Sequence, residues 1–224
     1  MADREAELVA RIASGVGAVD PETWDALAGG GDPFLTHAFL DLLETSHSVG
    51  DDSGWTALPV MVERSGSIVA AAPAYLKAHS QGEYVFDHGW AEAWERSGRA
   101  YYPKLQVAVP FTPVPGRRLF GDRAAILAAI EAVTVQNKLS SAHITFCDAG
   151  DLEAALQRDW RVDDALWKRF AAARDAFGKR RGQHFAQLRL VGRADLRDQR
   201  IHVPVRGKHV GEDRQQAIAV VRDA

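Results

Sequence analysis

Cysteine is almost absent from this chain. Cys147 is alone among 224 residues, which excludes an intramolecular disulfide and a multi-cysteine metal site and fits a reducing cytoplasm. Its neighbours Ile144-Thr145-Phe146 read as a buried strand, so a nucleophilic role is set aside. Long apolar runs are missing too, and none approaches the roughly 18 residues of a membrane span. The N-terminus, MADREAELVARIASG, mixes charge with apolar residues and holds no continuous apolar stretch of a secretory leader. A cytoplasmic protein is the expectation. The eight histidines are scattered, with no HxH or HExxH spacing, so no metal site is expected. No GxGxxG follows a strand, and neither GxxxxGK[ST] nor GxSxG occurs. Phosphate-loop nucleotide hydrolysis, the usual dinucleotide fold and an α/β-hydrolase triad therefore leave the front rank.

What is present is a soluble, globular composition, with 46% hydrophobic and 25% charged residues. The net charge of −3 hides a split. Residues 151–224 carry 13 Arg and 3 Lys against 11 acidic residues, a balance of +5, which leaves −8 for residues 1–150. Such asymmetry marks either a nucleic-acid-binding tail or a segment of different origin.

In chain order, residues 4–13 carry a short helical pattern with Leu8, Val9 and Ile12 on one face. Asp20-Pro21 and Asp32-Pro33 are both helix starts, an N-cap followed by proline. The second opens a helix with Leu35, Ala38, Phe39, Leu42 and Leu43 as its apolar stripe, and His37 at the stripe's edge reads as a partly buried, hydrogen-bonded histidine. Trp55 to Glu63 reads as a strand in which Pro59 marks an edge or a bulge. Arg64-Ser65-Gly66-Ser67 turns the chain, and Ile68 to Leu76 returns as the second strand of a hairpin. Lys77 to Asp87 is a polar loop. His88 to Arg96 is a helix with Trp90 and Trp94 as packing residues, and Ala142 to Cys147 a further strand. Helices, hairpin, helix, strand, helix, strand predict a mixed sheet flanked by helices.

The stretch Tyr101 to Ala129 is the most informative. A strand-like run ends in the loop Phe111-Thr112-Pro113-Val114-Pro115-Gly116-Arg117-Arg118, and a helix begins near Asp122. Strand, amide-rich loop and helix N-terminus can hold an anion, or simply turn a corner with Pro and Gly. Arg117 and Arg118 offer bidentate donors to phosphate or carboxylate, and Thr112 adds a hydroxyl. Tyr101, Tyr102 and Lys104 enter the strand from its other end.

Three blocks, Asp32-Pro-Phe-Leu-Thr-His-Ala-Phe39, Leu76-Lys-Ala-His-Ser-Gln-Gly-Glu-Tyr-Val-Phe-Asp87 and Tyr101-Tyr-Pro-Lys-Leu105 with Pro110-Phe-Thr-Pro-Val114 and Gly116-Arg117, occur in one order. In them the sequence resembles a bacterial family of predicted N-acyltransferases labelled as peptidoglycan biosynthesis or recognition proteins, related to Fem-type aminoacyltransferases and GNAT-type acetyltransferases. The resemblance spans about Trp24 to Cys147. It implies an α/β, GNAT-like mixed β-sheet flanked by helices over residues 20–148, after an N-terminal helix or extension at 1–19. It also implies acyl or aminoacyl transfer to an amine, linked to cell-wall precursors.

A substrate-binding wall is then expected at Tyr101, Tyr102, Lys104, Thr112, Gly116, Arg117 and Arg118. The loop lacks the Q/R-x-x-G-x-G/A pattern of GNAT folds, so the donor stands open between acyl-CoA and aminoacyl-tRNA, entering as substrate and not as a tightly bound cofactor. No residue is assigned as catalytic base. The partners implied are a small-molecule or tRNA-linked acyl donor and an amine acceptor.

Past Asp148 the resemblance fades, and residues 149–224 are read as an irregular Arg-rich extension, a truncated or frame-shifted second half. Arg189, Arg193, Arg197 and Arg200 give that extension a competing nucleic-acid-binding reading, weakened by Asp195, Asp198 and sparse aromatics. A non-catalytic recognition module is the third alternative.

Overall fold

Alternation, not helical spacing, governs the N-terminus. In the computed structural model, which describes residues 7–84, 87–162, 186–191 and 218–221, Leu8, Ala10 and Ile12 are buried while Val9 and Arg11 are half-exposed. That period of two makes Leu8–Ile12 a strand, β1. It replaces the helix expected over residues 4–13, because three buried residues two apart cannot share one helical face.

The helix starts follow their caps. Asp20 accepts from the Thr23 amide at 2.8 Å and opens α1 (Pro21–Ala28). At Asp32-Pro33 the chain makes only a 3-10 turn, and α2 (His37–Thr45) begins under the Thr36 cap, later than expected. His37 is buried, its Nε2 2.9 Å and 3.1 Å from the carbonyls of Val16 and Val19, the satisfied histidine its position predicted.

Both arms of the hairpin cross between two sheets. The first arm divides into β2 (Trp55–Ala57) and β3 (Val60–Arg64), the second into β4 (Ser67–Ala72) and β5 (Ala74–Lys77). The breaks fall at Pro59 and Pro73, which have no amide to give a ladder. The hairpin turn at Arg64–Ser67 is where the sequence put it. β3 and β4 stay in one sheet, β2 and β5 in the other.

The remaining elements are α3 (His88–Arg96), β6 (Lys104–Val107), β7 (Phe120–Gly121), α4 (Arg123–Gln136), β8 (Ser141–Cys147), α5 (Ala149–Leu156), β9 (Arg161–Val162), β10 (Ala186–Val191) and β11 (Ile218–Val221). The first sheet runs β11-β1-β3-β4-β7, with every neighbour antiparallel. The second runs β2-β5-β6-β8-β10-β9, where only β6 and β8 are parallel, joined across α4. The architecture is thus mixed α/β as expected, with two sheets in place of one. From the C-terminal extension, β10 pairs with β8 and β11 with β1. Residues 163–185 and 192–217, with Arg193, Arg197 and Arg200 of the nucleic-acid reading, lie outside the described residues.

The main core lies between the sheets and α4. Leu8, Ala10, Val60, Val62, Ala70 and Ala72 meet Leu105, Val107, Ala142 and Ile144 from the second sheet. α4 brings Ile126, Leu127, Ile130 and Val133, and its burial on several sides explains why it is apolar nearly all round. A second cluster packs Trp24, Leu35 and Leu40 against Met61, Ala71 and Phe120 on the other face of the first sheet.

Candidate functional site: a buried polar sheet face

Alternation along β6 and β8 puts Leu105, Val107, Ala142 and Ile144 into the core, so their neighbours in sequence must face the other way. Those neighbours are Lys104, Gln106, Ser141, His143 and Thr145, all polar and all buried. β5 adds Lys77 opposite Lys104, and β2 adds Trp55 opposite Lys77. One sheet thus carries an apolar face and a polar face, and both are shielded from water. Burying so many polar groups is costly unless they bond to one another.

Lys104 is the hub. Its Nζ donates to Ser80 Oγ at 3.0 Å, Glu83 Oε2 at 2.9 Å and Asp87 Oδ2 at 2.7 Å, and its side chain is fully buried. Asp87 Oδ2 also accepts from the Tyr101 hydroxyl, while Ser80 Oγ and the Tyr102 hydroxyl lie 2.6 Å apart. Trp94 of α3 and His143 both meet the Tyr101 ring edge-on. The side chain of Trp90, the other tryptophan expected to pack here, lies outside the described residues. The Tyr102–Pro103 peptide is cis. Lys77 donates to the Gln81 carbonyl at 2.9 Å and lies 3.8 Å from the centre of the Trp55 ring.

The electrostatics divide the two carboxylates. Burial pushes Glu83 up to about 7, against the opposing pull of Lys104. At Asp87 burial works in the same direction, but Lys104 and the hydroxyl bonds together outweigh it and hold that carboxyl below its usual value. Burial also lowers the Lys77 ammonium to about 8, although Glu83 pulls it back up. Glu83 Oε1, Asp87 Oδ1 and Gln106 Oε1 are buried with no hydrogen-bond partner among the described residues. Two neighbouring carboxylates with separated affinities for a proton can divide acid and base roles. No group of His, Cys, Asp and Glu suited to hold a metal occurs among the described residues.

The seven residues expected to form a binding wall separate into two groups at opposite ends of β6. Tyr101, Tyr102 and Lys104 belong to the buried network. Thr112, Gly116, Arg117 and Arg118 lie in the loop beyond the other end. There Thr112 Oγ1 donates to the Pro110 carbonyl, and the Gly116 amide bonds Phe146 O at 2.9 Å, tying the loop to the end of β8.

Arg118 is neither a surface charge nor free for an anion. It is fully buried, and its guanidinium donates to the carbonyls of Thr145, Arg117 and Val114. The amides of Gly116, Arg118 and Leu119 are also taken. Asp151 Oδ2 accepts from the Arg118 amide at 2.5 Å and the Leu119 amide at 3.1 Å, and Asp122 Oδ1 caps the start of α4. The anion recipe read from the sequence is physically sound, but the chain supplies its own anion. Arg117 alone keeps a half-exposed guanidinium, anchored by Nε on the Leu119 carbonyl.

Sequence reasoning missed Glu83, Asp87, Ser80, Lys77, Gln106 and His143. The available signal was the polar–apolar alternation in Lys104-Leu105-Gln106-Val107 and Ser141-Ala142-His143-Ile144-Thr145. Cys147 is buried, and burial pushes its thiol up to about 12, away from nucleophilic use.

Compared with known proteins, the chain matches the profile of the FemAB-like family, described as peptidoglycan biosynthesis/recognition, over residues 15–210, so the likeness does not fade past Asp148 as expected from the sequence. No curated protein sequence matches it. Among solved structures, a candidate arylalkylamine N-acetyltransferase 7 of the yellow fever mosquito Aedes aegypti aligns with a TM-score of 0.40 at 14% identity, covering 75% of this chain and 76% of that one.

Proposed function

This chain belongs to the FemAB-like family of peptidoglycan biosynthesis and recognition proteins, and from that premise we propose that it transfers an acyl or aminoacyl group to an amine acceptor linked to cell-wall precursors. In such a transfer the acceptor nitrogen attacks the donor's carbonyl carbon. The bond from that carbon to the donor's thiol sulfur or tRNA hydroxyl oxygen breaks, and the nitrogen sheds a proton. The group that takes the proton works best when its own affinity for it matches the working pH.

The observation that carries the proposal is Glu83, a carboxylate pushed up to about 7 beside the lower-lying Asp87 on one lysine. Glu83 is the proton acceptor in this reading. Lys104 orients it, and Lys104 together with the hydroxyls of Ser80 and Tyr101 holds Asp87 in its ionised form. The donor is an acyl-CoA or an aminoacyl-tRNA, and Arg117 is the guanidinium left to meet its phosphates.

The test begins with thermal-shift screening of acetyl-CoA, longer acyl-CoAs and amino-sugar precursors, since any ligand of the native state raises the melting temperature by mass action. Hits are then paired and the acylated amine sought by mass spectrometry. Glu83→Gln is expected to slow transfer about 10²-fold or more while leaving donor binding intact. Transfer at the wild-type rate would remove Glu83 from the chemistry. Binding without transfer by the wild-type chain would favour a recognition module.

A further inference from the structure

Between β5 and α3 the chain runs through Ala78–Tyr84, which pairs with no strand. We propose that Ala78–Tyr84 is a strap that opens and closes over the polar face of the second sheet, with Glu83 latched on Lys104. Its closed position depends mostly on side chains reaching up from the sheet. Trp55 Nε1 and Lys77 Nζ both donate to the Gln81 carbonyl, at 3.1 Å and 2.9 Å. Ser80 bonds Tyr102 and Lys104, and Glu83 Oε2 bonds Lys104. Ala78 gives the main-chain anchor at the strap's root, donating to Gly54 O at 3.2 Å.

Gly82 lets the strap lie flat. Its φ of +78° suits glycine, and a Cβ there would come within 2.5 Å of the Phe111 ring. The closed strap is also not fully satisfied, because Glu83 Oε1 and Asp87 Oδ1 are buried without partners among the described residues. Opening returns Glu83 to water and uncovers Lys104. A substrate amine enters while the strap is open and meets the raised Glu83 carboxylate once the strap closes again. The strap's purpose thus rests on the acyl-transfer reading, whereas its movement does not.

The groups acting on Glu83 are Lys104 of β6, Asp87 at the start of α3, Lys77 of β5 and the Tyr102 phenol, while His79 on the strap acts in turn on Lys77. Closure raises Glu83 from 4.5 to about 7, so the closed form binds that proton more tightly than the open one. The closed population is therefore favoured at low pH and declines as pH rises from about 4.5 through 7, by about two orders of magnitude in the closed-to-open ratio. Lys77, lowered from 10.5 to about 8, acts in the opposite sense and favours closure again between those values. The strap is least firmly closed near neutrality.

Hydrogen exchange followed by mass spectrometry on the full chain, from pH 5.5 to 8 and corrected for intrinsic exchange, tests this. Amides of Ala78–Tyr84 are expected to exchange at least about 100-fold faster than those of β6 and β8, with protection falling as pH rises. Glu83→Gln is expected to abolish that pH dependence. Gly82→Ala, which props the strap without touching the latch, is expected to raise exchange in the strap while β6 stays protected. Exchange of the strap in step with β6 and β8 at every pH overturns the proposal, as does an unchanged pH profile in a folded Glu83→Gln. If Glu83→Gln does not fold, unchanged strap protection in Gly82→Ala overturns it. A mobile strap on a chain that transfers nothing leaves the strap standing and removes only the acyl-transfer reading.

Discussion

Replacing Asp151 tests whether an internal carboxylate fills the loop's anion slot. The Asp151 side chain is fully buried, with Oδ2 on the amides of Arg118 and Leu119 and Oδ1 2.7 Å from Arg123 Nε. Asp151→Ala strands two buried amides, at about 1–3 kcal/mol each. The Arg123 contact adds at most about 1 kcal/mol, because that side chain is 34% exposed and solvent screens it. Against this stands the burial of the charge itself, which pushes the Asp151 carboxyl above its usual range. The net expectation is a loss of about 3 kcal/mol, or about 6–12 °C in melting temperature for a chain of this size.

Asp151→Asn keeps an oxygen for the amides but turns an NH2 toward Arg123, so it is expected to lose about half as much. Formate or acetate, small enough to enter the vacated slot, is expected to restore part of the stability of Asp151→Ala and none of the wild type's. The assay is a pair of urea and thermal melts at pH 7 with and without formate. Melting of Asp151→Ala within about 2 °C of wild type would refute the reasoning, because two orphaned amides cannot be that cheap.

Three further outcomes are expected. Lys104→Met leaves Glu83 and Asp87 buried without their counter-charge and is expected to cost about 3–5 kcal/mol in urea melts; adding Glu83→Gln should recover part of this, and no recovery would place the cost in packing. Gly121→Ala, at a φ of +69° and with a Cβ 2.1 Å from the Val69 carbonyl oxygen, is expected to lower stability by more than about 2 kcal/mol, and a near-neutral melt contradicts the close approach of β7 to β4. Arg118→Ala is expected to lower the melting temperature by several degrees through its lost carbonyl bonds, whereas Arg117→Ala leaves stability within about 0.5 kcal/mol and weakens binding of an anionic donor by calorimetry. The reverse pattern would exchange the roles of the two arginines.

Elements fixed by local rules were legible in the sequence. Asp20-Pro21, Asp122 ahead of α4, the Arg64–Ser67 turn and the apolar positions of α4 each declare themselves within a few residues. β1 did not, because Leu8, Val9 and Ile12 fit a helical face as well as a strand until β3 and β11 decide the matter. Pro59 reads in the sequence as an edge or a bulge, whereas the strand in fact divides there. Only with Pro73 lying beside it, marked by the Leu58 amide on the Ala74 carbonyl at 2.8 Å, does the hairpin cross from one sheet to the other.

The site divides in the same way. Tyr101, Tyr102 and Lys104 could be chosen because they lead into one strand whose pattern is local. Glu83 and Asp87 sit 21 and 17 residues before Lys104, in what reads as an ordinary polar loop. Nothing in their spacing says that a lysine will bury them, or that Asp151, 33 residues after Arg118, will occupy the slot that looked ready for a ligand. The sequence by itself determined the family, the caps and turns, and the alternation that gives β6 and β8 one apolar and one polar face. Tertiary structure alone decided which charges meet, which are removed from water and which are already neutralised, because Coulomb attraction and desolvation depend on distance and burial in space, and separation along the chain determines neither.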